Sequence, residues 1–179
     1  DIYYAPNLTQ DTRWREHIDQ AWNPRAVKRI LADLPGLKRQ PLSEQGAFKI
    51  SYFYDPTEAP SPEEITSLLL QGDQTVNVNV SFGQFLDVIP LRASKGAALR
   101  WFAAQRDVPL ECILAVGGSG ADEDMMRGNT LAAVVANRHD EELSELTEVD
   151  RIFFAKKSHA GGILEAMDHY DFFGDCKVP

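Results

Sequence analysis

One continuous apolar run, Cys112-Ile113-Leu114-Ala115-Val116, breaks off at Gly117-Gly118-Ser119-Gly120. A strand without polar alternation has to be buried on both faces, which is the situation in parallel sheets covered by helices. The neighbouring residues keep the same grammar. A helix from Ser94 to Gln105, with Ala97, Ala98, Trp101 and Phe102 facing inward, precedes the run. After it come a short helix around Asp122 to Arg127, an apolar strand at Leu131 to Ala136, a helix near Glu141 to Leu146, a strand at Ile152 to Ala155 and a helix from Gly161 to Met167. Alternation of this kind predicts an α/β domain, in which chemistry gathers at the carboxyl ends of the strands. Those ends are Gly117 to Asp122 and Asn137 to Asp140.

The residues before Pro90 to Ala93 read differently. Asp11 or Thr12 can cap a helix that runs to about Ala32, with Trp14, Ile18, Ala21 and Trp22 at helical spacing and Pro24 breaking or restarting it. Phe48 to Tyr54 is aromatic and β-branched, and Ser61-Pro62-Glu63-Glu64 has the chemistry of a helix start. In Thr75-Val76-Asn77-Val78-Asn79-Val80-Ser81 every second residue is Val, the pattern of a strand with one buried and one polar face. Phe85 to Ile89 adds a further strand, so a small sheet with two helices on one side is expected.

Charge narrows the range of partners. The 179 residues carry 27 acidic against 18 basic side chains, a formal net charge of −9. Affinity for nucleic acid comes mostly from Lys and Arg, so DNA and RNA are excluded as partners. No apolar run approaches the ~18 residues of a membrane span. Two Cys, one within the apolar run and one in the polar tail, argue against a disulfide framework and for a cytoplasmic setting. The four His have no ligand spacing, and the cluster Arg25, Lys28, Arg29, Lys38 and Arg39 reads as a solvated face.

Two places remain where chemistry can sit. In Gly117-Gly118-Ser119-Gly120-Ala121-Asp122-Glu123-Asp124, glycines permit close backbone approach to a ligand, a helix start offers N–H groups, and carboxylates suit a hard cation. A tight turn whose acidic residues complement the helix dipole explains the same letters. A P-loop is excluded because the Lys is missing, a dinucleotide fingerprint because Glu123 stands where a small residue belongs, and a nucleophile elbow because Ala121 stands for Gly. The second place is Lys95, whose ammonium at a helix start opposes the helix dipole and so points either to an anion or to an ordinary solvated lysine.

Lys95 at a helix start followed by a Gly/Asp-rich loop after the next strand resembles the third and fourth motifs of the haloacid dehalogenase-like phosphatases. The resemblance is closer to the sucrose-phosphate phosphatase branch and to the phosphatase-like C-terminal region of bacterial sucrose-phosphate synthases. It extends over Ile2-Tyr3-Tyr4, Trp14 and Trp22, Phe48 to Tyr52, Leu86 to Pro90, Ala93 to Leu99, Val134 to Asn137 and Gly161 to Glu165. It implies a Rossmann-like core, here partial with the N-terminal strands absent, and an inserted α/β cap. Residues 1–10 would then end the N-terminal core segment, 11–90 form the cap and 91–179 form the C-terminal part of the core. An edge left unpaired beside Cys112 to Val116 is expected to order only with the rest of its chain.

What the resemblance implies about the site is mixed. Lys95 would bind phosphate and Asp122 would be the surviving acidic residue and metal ligand; Lys49 and Ser81, picked by position in the cap and readable equally as strand-surface residues, and Asn137 are the candidates for substrate contact. Active sucrose-phosphate phosphatases read Gly-Asp-Ser-Gly-Asn-Asp in the fourth motif, so Gly118 and Ala121 are degenerate positions. Losing the family's carboxylate at position 118 weakens the case for the Mg²⁺ that the family uses. The expectation drawn from this is the phosphatase-like region of a bacterial sucrose-phosphate synthase, weak or inactive as a phosphatase, binding a sugar phosphate beside a glycosyltransferase region of the same chain. The alternative is a working Mg²⁺-dependent sucrose-phosphate phosphatase that releases sucrose and phosphate, and a phosphatase acting on another sugar phosphate is a third reading.

Overall fold

The computed structural model describes residues 1–139 and 152–175, which divide into two compact units at Ser94/Lys95. The helix expected near Glu141 to Leu146, Asp140 and Cys176 lie outside the described residues.

The first unit opens with a short antiparallel ladder between β1 (Tyr3–Tyr4), where Ile2-Tyr3-Tyr4 reads as strand-like, and β2 (Thr9–Gln10), which the sequence reading missed. The helical stretch expected from Asp11 to Ala32 restarts at Pro24 as expected, giving two helices, α1 (Thr12–Asp19) and α2 (Pro24–Ile30). Asn23 is the reason for the break: its side chain accepts from Ala26 N and caps a new helix that begins on Pro24. Asp11 caps α1 in the same way, accepting from Trp14 N and also from the Tyr4 hydroxyl.

Next come β3 (Leu37–Arg39), not anticipated because three residues give no readable period, β4 (Ile50–Tyr54), α3 (Pro62–Gln71), β5 (Val76–Ser81) and β6 (Phe85–Pro90). The four strands form an antiparallel sheet in the order β3-β4-β6-β5. Strand alternation sends Ile50, Tyr52, Tyr54, Leu86, Val88 and Val76 into one core with Val27 and Leu31 beside α2 and with Ile65 and Leu69 of α3. Val78 and Val80 pack against the same core, as the alternation predicted. At the start of α3, Ser61 Oγ accepts from Glu64 N while Glu64 Oε2 accepts from Ser61 N, a closed capping box. Ser61→Ala is expected to lower stability by about 1 kcal/mol in urea unfolding, and an unchanged midpoint would show that the box contributes nothing.

The second unit holds α4 (Lys95–Gln105), β7 (Leu114–Gly117), α5 (Glu123–Met126), β8 (Leu131–Val134), β9 (Ile152–Phe154), α6 (Ala160–His169) and α7 (Phe172–Asp175). The three strands pair in parallel in the order β7-β8-β9, as the apolar runs predicted. β7 starts later than expected, because Leu110–Cys112 winds as a 3₁₀ turn after Pro109. On α4 the buried positions are Gly96 and Ala103, not Phe102, which is 42% exposed with the Arg106 guanidinium over its ring. The interior is built from small residues: Ala115, Ala132, Ala133, Ala155 and Ala166 are buried together with Val134 and Met126. A Cβ on Gly162 of α6 would lie 2.5 Å from Lys157 O, 3.0 Å from Val135 Cγ1 and 3.2 Å from Ala155 Cβ.

Candidate functional site

The loop after β7 folds around one side chain. Asp122 Oδ2 accepts from Gly118 N at 3.0 Å and from the Ser119 backbone N–H and hydroxyl, each at 3.1 Å. Its other oxygen, Oδ1, lies 2.5 Å from Lys95 Nζ. Ser-x-x-Asp spacing is a known signature of such local closure, and it was present in the sequence as Ser119 to Asp122. The Asp122 side chain is 14% exposed whereas that of Lys95 is 54% exposed, so a shielded carboxylate aims an ammonium that stays wet. Burial pushes the Asp122 carboxyl up, but the hydrogen bond from Lys95, the N–H of Gly118, the Lys95 charge and the N–H of Ser119 together hold it below its ordinary 3.8.

A second loop closes on the first. His139 N donates to Gly118 O at 2.8 Å, and Val135 N donates to Gly117 O at 3.1 Å. A Cβ on Gly118 would meet Val135 Cγ2 at 3.1 Å and Arg138 Cα at 3.5 Å, so the loop after β8 crowds the space that a carboxylate side chain would need. Ala121 is half-buried in the 3₁₀ turn Gly120–Asp122.

The substrate-contact candidates belong to different units. Asn137 sits in the loop after β8, where its Oδ1 accepts from His159 N at 2.8 Å, tying that loop to the start of α6. Lys49 and Ser81 belong to the first unit. Lys49 Nζ lies 3.6 Å from Asp87 Oδ2, and the fully buried Ser51 donates to Asp87 Oδ1 at 2.6 Å. Ser51, Asp87 and Asn79 are register partners across β4, β6 and β5 on the face away from the core. Sequence reasoning missed Asp87, although its place between apolar Leu86 and Val88 marks it as facing out of the core. Ser81 is half-buried at the end of β5, opposite Phe85.

The described residues offer few free oxygens for the Mg²⁺ that the resemblance implies. Both oxygens of Asp122 are occupied by protein donors, Gly118 supplies no oxygen from its side chain, and among the described residues no three His, Cys, Asp or Glu side chains gather as ligands. No step is therefore derived through a metal. Among the described residues no helix is long and apolar enough to cross a membrane.

Comparison with known proteins places this geometry. A mannosylfructose-phosphate phosphatase of Agrobacterium fabrum is 27% identical over 161 residues, 89% of this chain and 65% of that protein. Sucrose-phosphatase 1 of Nicotiana tabacum is 25% identical over 202 residues, 99% of this chain and 47% of that protein. The chain thus spans less than two thirds of these curated relatives. The sucrose-phosphatase of Synechocystis sp. PCC6803, solved with sucrose and phosphate, superposes with a TM-score of 0.87 at 29% identity, covering 94% of this chain and 70% of that one. This is the α/β haloacid dehalogenase-like fold.

These matches overturn the expectation of a sucrose-phosphate synthase region that is weak or inactive as a phosphatase and sits beside a glycosyltransferase. These three proteins are phosphatases, and the alternative reading fits them better. Gly118 and Ala121 are two positions of one motif, and the likeness to these phosphatases runs over nearly the whole chain. The profile of sucrose-6F-phosphate phosphohydrolase matches residues 1–171, and the chain belongs to that family.

Proposed function

We propose that this chain is the phosphate-anchoring and sugar-binding part of a phosphatase acting on a phosphorylated disaccharide, sucrose 6F-phosphate foremost. The observation that carries the reading is the Lys95–Asp122 pair, which holds an ammonium at the start of α4 beside the loop that follows β7. In this reading Lys95 binds and neutralises phosphoryl oxygens, and Asp122 orients Lys95 while keeping the loop closed on its own N–H groups. Residues 11–90 serve as the cap. Within it the Lys49 ammonium and the Asp87 carboxylate offer a donor and an acceptor to sugar hydroxyls, with Ser81 as a further polar group. Asn137 contributes from the loop after β8.

A second disaccharide deserves the same assay, because one of the relatives is a mannosylfructose-phosphate phosphatase. The full encoded polypeptide is to be assayed for phosphate release from sucrose 6F-phosphate, mannosylfructose phosphate and fructose 6-phosphate, each with added Mg²⁺ and with EDTA. The expected order places a disaccharide phosphate above fructose 6-phosphate in kcat/KM. Equal turnover of all three removes the disaccharide assignment, and turnover of none removes the phosphatase reading.

A further inference from the structure

Two carboxylates from one short segment grip two successive residues of α4. Asp122 takes the Lys95 ammonium, and Asp124 Oδ2 accepts from Gly96 N at 3.0 Å. Asp124 Oδ1 also pairs with Arg100 Nη2 at 2.9 Å, and Arg100 Nη1 donates to Asp124 O at 3.2 Å, one helical turn further along α4. Gly96 is buried against this contact: a Cβ there would lie 2.4 Å from both Asp124 O and Asp124 Oδ2. α5, which bears Asp124, is itself anchored, since Met126 is 1% exposed and packs with Ala132 and Val134 of β8.

A Lys side chain has four rotatable bonds and explores a wide volume unless its backbone and tip are both held. Asp122 holds the tip. The backbone N–H next to Lys95 is held by Asp124, and the Arg100 fork fixes the carboxylate that does it. Ion pairing alone does not explain the arrangement, because the Arg100 and Asp124 side chains are 40% and 46% exposed and a pair so wet contributes little to stability. What it supplies is geometry.

We propose that Asp124 is a positioning residue for Lys95, acting through Gly96 N and braced by Arg100; this rests on the reading of Lys95 as the phosphate-binding group. Two measurements on the full encoded polypeptide test it, applied to Asp124→Ala and Asp124→Asn. The first is the nitrogen-15 NMR signal of the Lys95 ammonium, assigned by its loss in Lys95→Met. The second is the Kd for inorganic phosphate from calorimetry.

Asp124→Ala is expected to broaden or shift the Lys95 signal and to weaken phosphate binding by about tenfold. Asp124→Asn, which keeps an acceptor oxygen for Gly96 N, is expected to recover most of both. A purely structural role would lower the urea midpoint of Asp124→Ala without moving the Lys95 signal or the phosphate Kd, and that result overturns the proposal. If Asp124→Ala does not fold, Asp124→Asn decides: a Lys95 signal and Kd nearer to wild type than about twofold support the acceptor role, and a collapse of both refutes it. Should the wild type bind no phosphate, the phosphatase reading fails while the ammonium signal still decides whether Asp124 positions Lys95.

Discussion

Lys95→Met is expected to weaken binding of inorganic phosphate by about 10- to 100-fold, since a hydrogen bond to a charged group contributes about 1.5–3 kcal/mol. Met keeps the length and apolar stem of Lys but lacks the ammonium. The loss has a second part, because Asp122 then faces the incoming anion with no cation on its Oδ1. Partial exposure of Lys95 makes the interaction screenable, so the wild-type Kd should rise with ionic strength while that of Lys95→Met responds less. Lys95→Arg keeps the charge but not the compact point contact at 2.5 Å, and it should fall between the two. Calorimetric titration with phosphate at low and moderate salt reads all three. An unchanged Kd in Lys95→Met would remove the central residue of the proposed site.

The second large effect is on stability. Asp122→Ala leaves the N–H groups of Gly118 and Ser119 and the Ser119 hydroxyl without their acceptor in a partly shielded loop. Each orphaned donor costs about 1–3 kcal/mol if water cannot reach it, and part of this loop stays wet, so a total of about 2–4 kcal/mol is expected. Asp122→Asn retains an oxygen for the backbone donors but turns an amide toward Lys95, and should cost less.

Acid distinguishes the charge from the hydrogen bonds. The folded-state carboxyl of Asp122 is held below its ordinary 3.8. The unfolded state therefore binds the proton more readily, and the stabilisation is complete above the ordinary value and lost as pH falls through the folded one. Urea midpoints of wild type and Asp122→Asn should differ near neutral pH and draw together only as pH falls below the ordinary 3.8. A difference that does not shrink on acidification would show that the Asp122 charge is not what stabilises the loop.

Lys95 and Asp122 were each legible, because helix-start chemistry and a glycine loop after a buried strand are local signals, but their pairing across 27 residues was not. The parallel pairing of β7, β8 and β9 followed from their unbroken apolar runs for the same reason. Asp87 and Arg100 were missed for another reason: their partners, Ser51 and Asp124, are 36 and 24 residues away, and nothing local to either announces the contact. The inward set assigned to α4 failed at Phe102 because bulk was taken as the mark of burial. In this unit the buried positions of α4 are Gly96 and Ala103, and at Gly96 the absence of bulk lets α5 approach.

That small-residue interior has a bearing on how such a protein can change. With Ala115, Ala132 and Ala133 at 3% exposure or less, and Gly162 of α6 set against Val135 and Ala155, there is no slack for a larger side chain to take up. An enlarged residue in the sheet would push the helices outward and drag the loops after β7 and β8 with them. The scaffold therefore acts as a jig whose tolerances are already used up. Variation in what the site accepts has to come from residues at the strand ends, such as 121 and 137, where a new side chain alters chemistry before it alters packing.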